Sequence, residues 1–197
     1  MTPGKVFGIG LSRTATRSLA AALNQLGIRA KWCPHDPTTY SELSSGRFEL
    51  TILQHYQALT DTPVVPYYPQ FDKLYPGSKF ILTVREKESW LRSAEKLWTQ
   101  FRFTGAEPPG APFWRQFAAF VDFCVYGCHG FNPDRFSYVY DTHVANVQRY
   151  FRDRPQDLLV MNICEGQGWE VLCPFLDCEA PDMPFPKIDS FRSPLLR

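Results

Sequence analysis

A chain of 197 residues, 44% hydrophobic and 21% charged, is long enough for one substantial core and short for two, which predicts a single domain over 1–197 and excludes wholesale disorder. Its net charge of +1 excludes the broad cationic field that a nucleic-acid backbone requires, so any anion site must come from locally clustered arginines. No apolar run approaches the roughly 18 residues of a membrane helix, and the first apolar run starts within a few residues of Met1, leaving no room for a signal peptide; a soluble cytoplasmic protein, with no membrane partner, is the expectation.

In chain order, "KVFGIGL" predicts a strand and "TATRSLAAALNQLG" a helix, with Leu19, Ala22, Leu23 and Leu26 at helical spacing and Gly27 where helix C-termini favour glycine. "IRAKWC" fits a short second strand, after which "PHDPTTYSELSSGRFEL" is turn-rich and becomes weakly helical through "LTILQHYQAL". "TPVVPYYPQFDKLYPG" reads as a short apolar segment followed by a proline-bounded helix. "SKFILTVR" is apolar enough to be covered on both faces, a central strand. "EKESWLRSAEKLWTQF" follows as an amphipathic helix with Trp90, Leu91, Ala94, Leu97 and Trp98 on one side. Beyond the break at "GAEPPGAP" come two helices, "FWRQFAAFVDFCVYG" and "FSYVYDTHVANVQRYFRD". A buried strand "DLLVMNI", a short helix "GWEVLCPFL" and an irregular proline-rich tail complete the chain. Strands alternating with helices predict an α/β fold of three layers around a central parallel sheet.

The six cysteines lie in or beside apolar stretches, as small buried thiols in a reducing compartment do. Cys124, Cys128 and His129 have spacing compatible with metal ligation, but the i, i+4 interval is also that of a core-facing helix and no second pair accompanies it; no metal is expected.

The stretch "VFGIGLSRTATRSLAAAL" runs from strand through a polar turn into a helix, and the N–H groups of such a helix start point at whatever the turn holds. A triphosphate loop ends in glycine, lysine and a hydroxyl residue. Counted from Gly10, those three places hold Ala15, Thr16 and Arg17. A donor with one anhydride at its 5′ end and no metal would dispense with the missing lysine and hydroxyl, drawing instead on Ser12, Arg13, Thr14, Ala15, Thr16, Arg17 and Ser18. The same pattern also fits a helix capped by Ser12 or Thr14 with two solvent-facing arginines.

"KFILTVREKESWLRSAEKL" places Arg85 at a strand end and Ser93 eight residues on, two turns up the next helix. This segment resembles the 3′-phosphate-binding segment of sulfotransferases that use 3′-phosphoadenosine 5′-phosphosulfate (PAPS), and the first turn resembles their 5′-phosphosulfate loop. Arg13, Thr14 and Thr16 match that loop; Ala15 stands where the family has glycine and Arg17 where it has a hydroxyl residue. "DTPVVPYYPQFDKLYPGSKFILTVRE" and "YDTHVANVQRYFRDRPQDLLVMNICEGQGWEVLCPFL" are similar to a short soluble branch of the family, so the likeness covers nearly the whole chain.

The resemblance implies a P-loop-like sulfotransferase fold and transfer of a sulfuryl group from PAPS to a hydroxyl or amine of a small-molecule acceptor, leaving adenosine 3′,5′-bisphosphate (PAP), without a metal. It assigns Arg13 to the charge on the departing phosphate, and Arg85 and Ser93 to the 3′-phosphate; Lys187 and Arg192, basic residues of the tail, are candidates to close over the same phosphate. A strand-end arginine paired with Glu86 or Glu88 beside a water-facing serine is the plain structural alternative. General-base candidates are Asp61, which also fits a turn or cap, then His55 and His35; His129 and His143 have weaker claims. Trp32, Tyr67, Tyr68, Trp98, Phe103 and Trp114 are candidates for an apolar acceptor pocket. Two other readings stand beside this one: a non-catalytic module that binds the bisphosphate through a decayed loop, and a magnesium-dependent kinase-like phosphotransferase, against which the loop's missing lysine and hydroxyl argue. Oligomeric state stays open between monomer and homodimer.

Overall fold

Residues 4–101 and 111–188 are described by a computed structural model. The strands are β1 (Val6–Gly8), β2 (Ala30–Trp32), β3 (Ala58–Thr60), β4 (Lys79–Thr83) and β5 (Leu158–Met161), in the order β2-β3-β1-β4-β5. Every pairing is parallel, with Phe7 of β1 opposite Leu59 of β3 and Phe80 of β4. The helices are α1 (Thr16–Gln25), α2 (Pro37–Ser44), α3 (Tyr68–Leu74), α4 (Lys87–Lys96), α5 (Ala111–Val121), α6 (Pro133–Tyr150) and α7 (Trp169–Leu176). None of them is long and apolar enough to cross a membrane.

The period-2 alternation of strand side chains sorts the core into two layers. Val6 and Ile81 pack with Leu19, Leu23 and Leu172 from α1 and α7. Phe7, Phe80 and Leu82 face the other way, against Phe71, Val147 and Phe151 from α3 and α6. Phe7 stacks on Phe71 with ring centroids 4.7 Å apart. A third cluster, built on Trp90, Trp98, Tyr126 and Phe136, joins α4 to α5 and α6. As "SKFILTVR" predicts, β4 is covered on both faces, with Phe80, Ile81 and Leu82 fully buried.

Three expectations need correction. The turn-rich segment contains α2, started by Pro37 and capped by the Asp36 carboxylate, which accepts from Thr39 N at 2.9 Å. The stretch "LTILQHYQAL", read as weakly helical, is helical only over Thr51–Gln54 and ends in β3, "ALT", residues 58–60, which "TPVV" follows. Three residues leave too little pattern for periodicity to register. Finally, β5 is an edge strand in which Leu158 and Leu159 are half-buried and Val160 is exposed. The thiols are also less buried than expected: only Cys173 is buried, Cys33 and Cys128 are half-buried, and Cys124, Cys164 and Cys178 are exposed.

Gly10 marks the closest approach of the loop after β1 to β4. A Cβ there would lie 1.9 Å from Thr83 Oγ1 and 2.5 Å from Thr83 O. Gly10→Ala is expected to lower stability by roughly 2–3 kcal/mol, measured as a lower urea midpoint at unchanged slope.

Candidate functional site

Between β1 and α1 the backbone reverses twice, at Arg13 (φ 79°) and Ala15 (φ 66°). Both angles lie in the left-handed region where side chains are disfavoured. Ala15 is the N-cap of α1 and supplies no side-chain acceptor to the first turn. Neither Ser12 nor Thr14 caps it. Thr14 Oγ1 donates to Leu11 O at 2.7 Å and pairs with Thr83 Oγ1 at 2.6 Å, and the Trp90 indole N–H donates to Ser12 O at 2.9 Å. Behind the loop, half-buried His143 donates from Nε2 to Ile9 O at 2.8 Å. Burial holds that imidazole below its usual pKa, with the bond to Ile9 acting in the opposite direction. The loop is therefore fixed by its own hydroxyls and by α4 and α6, and the helix start is left uncapped.

Asp61, immediately after β3 and 3% exposed, is the hub of this arrangement. One carboxylate oxygen accepts from Ser12 Oγ at 2.5 Å and Thr62 N at 2.6 Å. The other accepts from Thr16 Oγ1 at 2.5 Å and Trp32 Nε1 at 2.8 Å. Sequence reasoning nominates Asp61 as a base. In the structure both of its oxygens face loop and indole donors, and the hydroxyls of Ser12 and Thr16 point at the carboxylate.

On the β4 side, Arg13 Nε donates to Ser93 Oγ at 2.9 Å. The Arg85 guanidinium donates to Ser89 Oγ at 3.0 and 2.8 Å and to Arg13 O at 3.4 Å. Arg85 N donates to the Tyr140 hydroxyl at 3.1 Å, and that hydroxyl donates back to Arg85 O. Arg13 thus meets Arg85 and Ser93, predicted site residues 72 and 80 positions further along the chain, at the mouth of the loop. Glu86 caps α4, accepting from Glu88 N and Ser89 N. Ser89 and Tyr140 were missing from the sequence reading. The i, i+4 step from Arg85 signals the first, whereas the second depends on a helix that packs here from 55 residues away.

A cleft of about 290 Å³ opens beside the loop, lined by Ala15, Ser18, Ile163, Cys164, Lys187 and Ile188. The tail closes it from one side, Ile188 N donating to Ser18 Oγ at 3.0 Å. Partial desolvation pushes the Cys164 thiol up while the Arg85 and Arg13 charges pull it down, which puts both guanidinium groups within electrostatic reach of this cleft. Lys187, a candidate tail cation, lines this cleft; Arg192 and Phe103 fall outside the described residues.

On the opposite flank Arg17, 8% exposed, lays its guanidinium over Trp32 with Cζ 4.1 Å from the ring centroid. Neither terminal nitrogen has a hydrogen-bond partner. Burial pushes its pKa down, against the pull of Asp61 and Cys33. Beyond it His35 meets Cys33 O at 2.6 Å and packs on Trp114, centroids 4.7 Å apart. His55 lies ahead of β3, in a separate hollow of about 260 Å³ with Lys31, Asp36 and Tyr56. Of the proposed pocket aromatics, Trp98 and Tyr68 are buried in the core, Tyr67 packs on Phe48, and Trp32 and Trp114 lie at the end of β2.

A parallel sheet in this strand order, with an uncapped helix start and two arginines at its C-terminal edge, defines a protein of the P-loop-like α/β class. A family model described as a sulfotransferase domain matches residues 5–193, and the chain belongs to that family. It is also similar to "Ava biosynthesis cluster protein M" of Aspergillus versicolor, 27% identical over 214 residues that cover 93% of this chain and 80% of that protein.

Two stability measurements test this geometry. Asp61→Asn puts an amide donor where only acceptors fit, and should cost about 3 kcal/mol in urea unfolding. Ala15→Gly should instead stabilise by about 0.5–1 kcal/mol, because relief of the left-handed strain outweighs the added freedom of the unfolded chain.

Proposed function

We propose that this protein transfers a sulfuryl group from PAPS to a hydroxyl or amine of a small-molecule acceptor. The observation that carries this reading is the convergence of Arg13, Arg85 and Ser93 at the uncapped start of α1, beside the cleft bordered by Lys187. The nucleotide occupies that cleft with its 5′-phosphosulfate on the α1 amides and its 3′-phosphate toward Arg85, Ser93 and Lys187, a charge-assisted set that tells PAPS from donors lacking the 3′-phosphate.

In the transfer, the bond from sulfur to the phosphate oxygen breaks as the bond from sulfur to the acceptor heteroatom forms, and the acceptor's proton leaves to a base or to water. Charge grows on the departing phosphate oxygen. Arg13 stabilises it without donating a proton, because a guanidinium keeps its charge. Asp61 acts as a positioning residue, setting the Ser12 and Thr16 hydroxyls and the turn that carries the amides.

A binding module without turnover is the second reading, suggested by Ala15 and Arg17 at positions where the related loops have glycine and a hydroxyl. Ala15 nevertheless adopts the left-handed φ that a glycine would take, so the loop keeps its shape. Production of PAP from PAPS with any acceptor excludes that reading. The donor site is tested first, by calorimetric titration with PAP beside AMP and Mg-ATP. Micromolar PAP binding, weakened roughly 10–100-fold by Arg85→Ala, is the expected result; preference for Mg-ATP, or no PAP binding, would falsify the proposal.

A further inference from the structure

The mechanism above leaves one buried cation unused. Arg17 is the second residue of α1, and its side chain departs from the helix on the flank away from the cleft that Ala15 and Ser18 line. It runs toward the end of β2, under Trp32. Both terminal guanidinium nitrogens are out of solvent and without a partner, a costly arrangement for a charged group with several N–H donors to satisfy. The Trp32 face and the nearby Asp61 charge offset part of that cost. Neither accepts a hydrogen bond from these nitrogens.

Resting on the sulfotransferase reading, we infer that Arg17 recognises a carboxylate on the acceptor, which is a hydroxylated carboxylic acid with an apolar body. The donor's nucleotide half is placed by Arg13, Arg85, Ser93 and the cleft, all on the other flank. The flank that holds Arg17 carries His35 and the exposed Trp114, packed against each other beyond the end of β2, surface suited to an apolar body. A fork of two N–H groups matches a carboxylate. Because the Asp61 carboxylate is close by, a singly charged anion is held better there than a doubly charged phosphate.

The test uses the full chain saturated with PAP and titrated with hydroxylated carboxylic acids, from 4-hydroxybenzoate to 3-hydroxydecanoate, each beside its methyl ester. At least one acid should bind about 10-fold or more tighter than its ester, and Arg17→Gln should erase that difference. Equal affinity of every acid and ester, or no binding by any of them, overturns the inference. So does loss of PAP or PAPS binding in Arg17→Gln, which would make Arg17 a ligand of the donor. Failure of PAP to bind the wild-type chain would instead remove the sulfotransferase reading, and the contrast between acid and ester would then be read without nucleotide. A second variant separates recognition from packing. Arg17→Met, which removes a buried charge lacking hydrogen bonds, should raise the melting temperature, whereas a fall would mark Arg17 as a structural residue.

Discussion

With Ser12 and Thr62 N on one oxygen and Thr16 and Trp32 on the other, the buried Asp61 carboxylate gathers donors from the loop after β1, from the end of β2 and from its own turn after β3. Three parallel strand ends are thereby held in one register, and the helix start that follows β1 is aimed by the same bonds. A buried carboxylate is tolerable only when its lone pairs are met. Four donors meet them here, and the positive end of α1 adds to the balance. The arrangement divides the loop's donors into two sets: hydroxyls that hold Asp61, and the uncapped backbone amides of α1 beside the Arg13 and Arg85 guanidinium groups.

Backbone strain collects around the same point. Arg13, Ala15, Cys33 and Asp61 all have φ between 43° and 79°, and all lie within the ends of β1, β2 and β3. Each departure from the preferred region costs on the order of 1–2 kcal/mol, a cost that persists where surrounding bonds over-determine the chain. The hydrogen bonds to Asp61 and those from Trp90 and His143 supply that determination.

Much of this was legible in the sequence. The α/β class, the central position of "KFILT" and the helix after the first turn follow from long apolar runs, and the meeting of Arg13, Arg85 and Ser93 was implied by the resemblance of their segments to the sulfotransferase loops. β3 escaped because three residues cannot display a period, and α2 because its start depends on the cap from Asp36 and on Pro37 at its first position. The partners of Asp61 escaped for a different reason. Trp32 and Thr16 lie 29 and 45 residues away from it, and no local pattern encodes a contact made only when strands two places apart in the chain become neighbours in the sheet. Arg17 was visible as a departure from the related loops, but its burial under Trp32 was not.

Two of the five tryptophans are joined directly to the turn: Trp90 through its bond to Ser12 O, and Trp32 through its bond to Asp61 and the guanidinium above its ring. Indole emission responds to the hydrogen bond at Nε1 and to charge near the ring. The unlabelled protein therefore carries its own optical gauge on both flanks of the loop between β1 and α1, one indole reading the side of α4 and the other the side of β2.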